Sequence, residues 1–96
     1  MKQWSILLVF LSLSLSLSAQ QGYEKDVFVS STGDSLPYRM IRPEPMKAGK
    51  KYPLVLFLHG AGERGNDNER QLTHGGQMFL NPVNREKYPA FVLVPQ

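Results

Sequence analysis

The 96-residue chain carries 11 Lys+Arg against 8 Asp+Glu, a formal charge of +3, and 42% of it is hydrophobic. That composition is globular rather than disordered or collagen-like, and the small charge excess, with no Lys/Arg stripe, argues against a nucleic-acid partner. The absence of cysteine excludes a disulfide scaffold, a cysteine zinc site, a cysteine nucleophile and a lipidated cysteine.

The chain opens with a short cationic stretch, Met1-Lys2-Gln3-Trp4. An apolar run from Ile6 to Leu17 follows, diluted by Ser12, Ser14 and Ser16, and closes on Ser18-Ala19 before Gln20-Gln21. This is the pattern of a secretory signal peptide over residues 1–19. The run is far shorter than the roughly 20 residues needed to span a bilayer, so a membrane anchor is the weaker reading. A mature chain over 20–96, secreted or periplasmic and free of the membrane, is the expectation.

Residues 20–42 read as a β-hairpin. Asp26-Val27-Phe28-Val29-Ser30 alternates, Thr32-Gly33-Asp34-Ser35 is turn chemistry, and Leu36, Tyr38 and Met40 share one face of a second strand. Pro37 within that strand points to a sheet edge, because proline cannot donate to a ladder. Residues 43–53, with two early prolines, Gly49 and three lysines, read as an exposed connector.

Residues 54–96 differ in kind. Leu54-Val55-Leu56-Phe57-Leu58 is apolar without alternation, as expected of a strand buried on both faces of a parallel sheet. Phe91-Val92-Leu93-Val94 is a second such run, and a helical patch over Glu69 to Leu80 lies between them. One β-α-β unit and an α/β fold follow. One helix cannot cover two faces, and the sequence stops directly after a buried strand. The expectation is therefore the N-terminal part of a larger domain with an incomplete sheet. The competing reading is a small secreted binding or structural module without catalytic activity.

The chemistry lies in the loop after the first buried strand, His59-Gly60-Ala61-Gly62-Glu63-Arg64-Gly65-Asn66-Asp67-Asn68. Residues 60–65 formally match the dinucleotide pattern Gly-x-Gly-x-x-Gly. However, Gly65 is followed by turn formers rather than a helix, and Val94-Pro95-Gln96 brings no acidic residue to hold a ribose. A metal set drawn from His59, Glu63, Asp67 and His74 shows no recognised ligand spacing.

The segment Tyr52 to Gly62, with Glu63-Arg64-Gly65-Asn66-Asp67-Asn68 and Gln71-Leu72 after it, resembles the α/β-hydrolase superfamily. It is most similar to secreted bacterial esterases of the polyhydroxybutyrate-depolymerase, carboxylesterase and prolyl-oligopeptidase-related group, over roughly residues 23 to 96. The resemblance implies a serine hydrolase acting on small-molecule or polymeric carboxylic esters, without cofactor or metal. It implies that the backbone N–H of Ala61 is an oxyanion donor, on a loop supported by His59, Gly60 and Gly62. Ala61 departs from the all-glycine form of the motif but keeps its N–H.

The family's Gly-x-Ser-x-Gly elbow does not occur in these residues, and in the family nucleophile, acid and base all follow this loop. Neither His59 nor His74 is then expected to be the base. His59 is expected to shape the loop through its ring nitrogens, and His74 to be a surface or helix-end residue. Glu63 and Arg64 are expected either to orient the loop and line the substrate entrance or to form a solvated charge pair.

Overall fold

The computed structural model describes residues 22–96, so the leader expected over residues 1–19 lies outside the described residues. Strand β1 (Glu24–Val29) turns into β2 (Ser35–Ile41), and the two pair antiparallel. The turn closes through Ser30 N–H to the Asp34 carbonyl at 2.8 Å and Gly33 N–H to the Ser30 carbonyl at 3.1 Å. The Ser30 hydroxyl also accepts from Asp34 N–H at 3.1 Å, the local side-chain bonding that makes such residues turn formers. Strand β4 (Phe91–Pro95) pairs antiparallel with β2 and parallel with β3 (Leu54–Leu56). The order is β1-β2-β4-β3, a mixed sheet.

Two short helices, α1 (Gly76–Leu80) and α2 (Pro82–Lys87), connect β3 to β4, preceded by 3-10 turns at Ala61–Glu63 and Arg70–Leu72. The core comprises Tyr23, Ile41, Leu72, Val92 and Val94, with Val55, Phe57, Phe79 and Leu80 packed against it. Phe57 and Phe79 meet edge to face at 5.6 Å, joining α1 to the sheet. Among the described residues no helix is long and apolar enough to cross a membrane.

Three expectations are corrected by this arrangement. First, β2 is an interior strand, not an edge. Pro37 is tolerated because the ladder to β4 begins at Tyr38 opposite Pro95. On that side Pro37 uses only its carbonyl, which accepts from Gln96 N–H at 2.9 Å.

Second, among the described residues the Leu54–Leu58 run is covered on one face rather than two. Val55 and Phe57 pack on the core, while Leu54, Leu56 and Leu58 remain 64%, 57% and 68% exposed. The register carries the exposed face across the sheet, through Leu54 beside Phe91, Leu56 beside Leu93, and Leu93 beside Met40.

Third, the single helix over Glu69–Leu80 is broken. Gly75 adopts a φ of +89°, and a β-carbon there would meet the Phe57 ring at 3.0 Å, so the chain breaks and restarts at α1. Helix α2 then starts where Asn81 caps it, its Oδ1 accepting from Val83 N–H at 2.9 Å with Pro82 in the first turn.

Tyr23, just ahead of β1, locks the helical layer to the hairpin. Its hydroxyl donates to the Gly76 carbonyl at 2.7 Å, and burial pushes its pKa up to about 12. The raised value means that the neutral phenol stabilises the fold. That contribution is complete below about pH 10 and disappears as pH rises through about 12. Tyr23→Phe should lower stability by about 1 kcal/mol at pH 7. It should also flatten the loss of thermal midpoint between pH 10 and pH 12, read from melts across that range.

Candidate functional site

The loop after β3 and the residue after β4 meet at one end of the sheet, because the two strands run parallel in register. Phe57 N–H donates to the Leu93 carbonyl at 2.9 Å, which carries the pairing one residue beyond β3. The carboxyl ends of parallel strands are where α/β sheets place ligands, since the loops leaving them diverge.

Gly60 is extended, with φ −80° and ψ 174°, and the 3-10 turn Ala61–Glu63 begins directly after it. Glu63 N–H bonds the Gly60 carbonyl at 3.2 Å and Arg64 N–H approaches the Ala61 carbonyl at 3.5 Å. The first N–H groups of a helical turn find no carbonyl within it, so those of Ala61 and Gly62 have no partner inside the turn. Both residues are exposed. The loop thus offers consecutive backbone donors on a shape fixed by small residues, the arrangement that suits a developing negative charge.

His59 precedes this turn. Its Nδ1 lies 2.6 Å from the Gly60 carbonyl. A carbonyl only accepts, so Nδ1 carries the proton, and in the neutral ring Nε2 is the acceptor.

Glu63 does not pair with Arg64. Its side chain, only 12% exposed, reaches His74 Nε2 at 3.2 Å, and its other oxygen lies 3.0 Å from where a β-carbon on residue 60 would sit. The Glu63 carboxylate thus closes over Gly60 and links the loop to His74, whose own side chain is 81% exposed. Arg64 is exposed.

Asp67 is engaged elsewhere. Its Oδ1 accepts from Glu69 N–H and Arg70 N–H, each at 3.1 Å, and from Gln96 Nε2 at 2.8 Å. The Gln96 bond first, then these backbone donors, hold its carboxyl down at about 2. Among the described residues no group of three or more His, Cys, Asp or Glu could hold a metal ion.

The residues that position the loop are ones to which the sequence reading gave no role. Asn68 is buried with φ +55°. Its amide donates to the carbonyls of Asp26 at 3.2 Å and Tyr38 at 3.1 Å, binding the loop to both strands of the hairpin. Its own carbonyl accepts from the buried Arg39 Nε at 2.7 Å. The Asn68 side-chain oxygen accepts from Gln71 Nε2, while Asn68 N–H donates to Gln96 Oε1 at 2.6 Å. Gln71 is fully buried, and its Oε1 has no hydrogen-bond partner. The turn-forming run Asn66-Asp67-Asn68 was the available signal for Asn68. Gln71 stood within the motif without an assigned role, and nothing local marked Arg39 or Gln96, whose loop partners lie 28 to 33 residues away in sequence.

A cavity of about 550 Å³ lies between the sheet and the helices, lined by residues such as Ile41, Val55, Val92, Met78 and Phe79. No residue of the 59–68 loop lines it.

Among solved structures, the chain is similar to one described as "Crystal Structure of a Thermostable Esterase", at 40% identity and a TM-score of 0.72. The match covers 78% of this chain and 21% of that one, so the chain spans about a fifth of the esterase's length. No protein-family model and no curated protein matches the chain. The four-stranded mixed sheet with its short helices is a partial α/β fold, and the esterase likeness supports a hydrolase-like one.

Two outcomes test the site's architecture. Asn68→Ala leaves the Asp26 and Tyr38 carbonyls without this donor and puts a β-carbon-bearing residue with no local bonding at positive φ. Urea unfolding should report a loss of about 2–4 kcal/mol. Asp67→Asn tests the acid side. A carboxyl held near 2 stabilises fully above about pH 4, and its contribution is lost as pH falls through about 2. The thermal midpoint of the asparagine variant should therefore fall less between pH 4 and pH 2 than that of the unmodified protein.

Proposed function

We propose that this chain is the N-terminal part of a secreted serine hydrolase that cleaves small-molecule or polymeric carboxylic esters. In this reading it supplies the oxyanion-stabilising loop, with Ala61 N–H as a donor and His59, Gly60 and Gly62 shaping its surroundings. The nucleophile, acid and base lie on segments outside it. The observation that carries the reading is the position of Ala61: first in a 3-10 turn, after an extended glycine, on an exposed loop leaving a parallel strand.

The chemistry asks for such a group. When a serine oxygen attacks an ester carbonyl, negative charge develops on the carbonyl oxygen. A donor already fixed in place stabilises that charge without reorganising, and one such donor is worth roughly a hundredfold or more in kcat. Backbone N–H serves because the turn, not a mobile side chain, sets its direction. The chemistry requires no cofactor.

Two further observations support the reading. The likeness to an esterase extends over 78% of this chain at 40% identity. The sheet also leaves Leu54, Leu56, Leu58, Phe28 and Leu36 exposed on large apolar side chains, a surface of the kind that further elements of a longer protein cover. Secretion rests on the leader pattern of residues 1–19.

Ala61→Pro is the direct test. Proline removes the N–H yet suits the first position of a helical turn, and the ψ of 174° at Gly60 is what a residue before proline adopts. The complete enzyme should hydrolyse short p-nitrophenyl esters, and residues 20–96 alone should not. In the complete enzyme Ala61→Pro should lower kcat by roughly 100-fold or more with the circular dichroism spectrum retained. An unchanged kcat in the folded variant rejects Ala61 as the donor, and robust turnover by residues 20–96 rejects the division of roles.

A further inference from the structure

We infer that Gln96, the residue following β4, is a positioning residue for the oxyanion loop, acting through its side-chain amide. The inference rests on the ester-hydrolase reading above and adds to it a residue outside the loop on which the donor geometry depends.

One planar group holds both ends of the loop's second half. Gln96 Nε2 donates to the Glu63 carbonyl at 3.2 Å and to Asp67 Oδ1 at 2.8 Å. Gln96 Oε1 accepts from Asn68 N–H at 2.6 Å. The amide thereby uses both of its N–H donors and its oxygen within residues 63–68. Its own backbone is fixed independently, since Gln96 N–H donates to the Pro37 carbonyl on β2 at 2.9 Å.

The connection to the donor is short. Glu63 closes the 3-10 turn that Ala61 opens, and its N–H holds the Gly60 carbonyl at 3.2 Å. Restraining the Glu63 carbonyl therefore restrains the axis of the turn and with it the direction of Ala61 N–H. Gly65 brings the chain close to this anchor. Its φ is +148°, and a β-carbon there would stand 3.4 Å from Gln96 Nε2. The side chain of Gln96 adds to the Asn68 and Arg39 contacts a link from the end of β4, whose position is set by pairing, to the turn at Glu63.

Gln96→Glu keeps the size and the oxygen facing Asn68, but replaces the donor with a second acceptor. That acceptor would face the Glu63 carbonyl and the Asp67 carboxylate, turning two attractions into repulsions. Gln96→Met keeps the length and removes all three bonds. In the complete enzyme both substitutions should lower kcat on p-nitrophenyl esters roughly tenfold to a hundredfold, with KM changed less than about threefold. Amide hydrogen exchange should quicken at least about tenfold across residues 60–68, with β2 and β4 unaffected.

A folded variant with unchanged kcat and unchanged exchange overturns the inference while leaving the hydrolase reading intact. An unmodified enzyme inactive on esters overturns the hydrolase reading instead, and the exchange experiment then decides alone whether Gln96 holds the loop. Loss of the native fold in both variants would assign Gln96 a global structural role and also overturn the inference.

Discussion

Arg39 and Asn68 are buried against each other, and neither tolerates burial without partners. A guanidinium in the interior must have its N–H groups met, and the Asn68 carbonyl meets Nε at 2.7 Å. The Asn68 amide in turn meets two hairpin carbonyls, so a charge on β2 fixes where the loop after β3 can lie. Glu69 stands 4.0 Å from the same arginine, but half exposed, which makes it the weaker contact. The loop therefore has a defined shape although residues 64–69 contain no helix or strand.

That constraint explains the division of labour between side chains and backbone. The polar side chains Asn68, Asp67, Gln71 and Gln96 spend their hydrogen bonds on architecture. The glycine- and alanine-containing segment 60–62 is left with backbone donors that its own turn does not use. A loop built this way is held by polar side chains and accessible where it is small, which is what the proposed role in stabilising a transient anion would require.

The two faces of the sheet are unlike. Helices and turns cover the face bearing Ile41, Val92, Val94 and Val55, whereas the register aligns Met40, Leu93, Leu56 and Leu54 on the opposite face. Hydrophobic burial is thus concentrated on one side of β3 and β4 among the described residues. The continuous apolar run in β3 reflects a residue choice suited to two covered faces, and here only one has its cover.

Several features were legible from residue order because their causes are local. The turn chemistry at Thr32-Gly33-Asp34-Ser35 lies where the hairpin reverses, and the unbroken apolar runs that begin at Leu54 and Phe91 mark the strands that pair in parallel. The small residues after His59 mark a loop whose backbone can be exposed, a property of glycine and alanine themselves. The tertiary structure alone decided that β2 lies inside the sheet, that Arg39 is buried, that Glu63 turns to His74 rather than Arg64, and that Gln96 grips the loop. Each of these depends on groups 11 to 57 residues apart meeting in space. Neither composition nor periodicity encodes such a meeting, because periodicity reports which face a residue occupies and not what the fold brings against it.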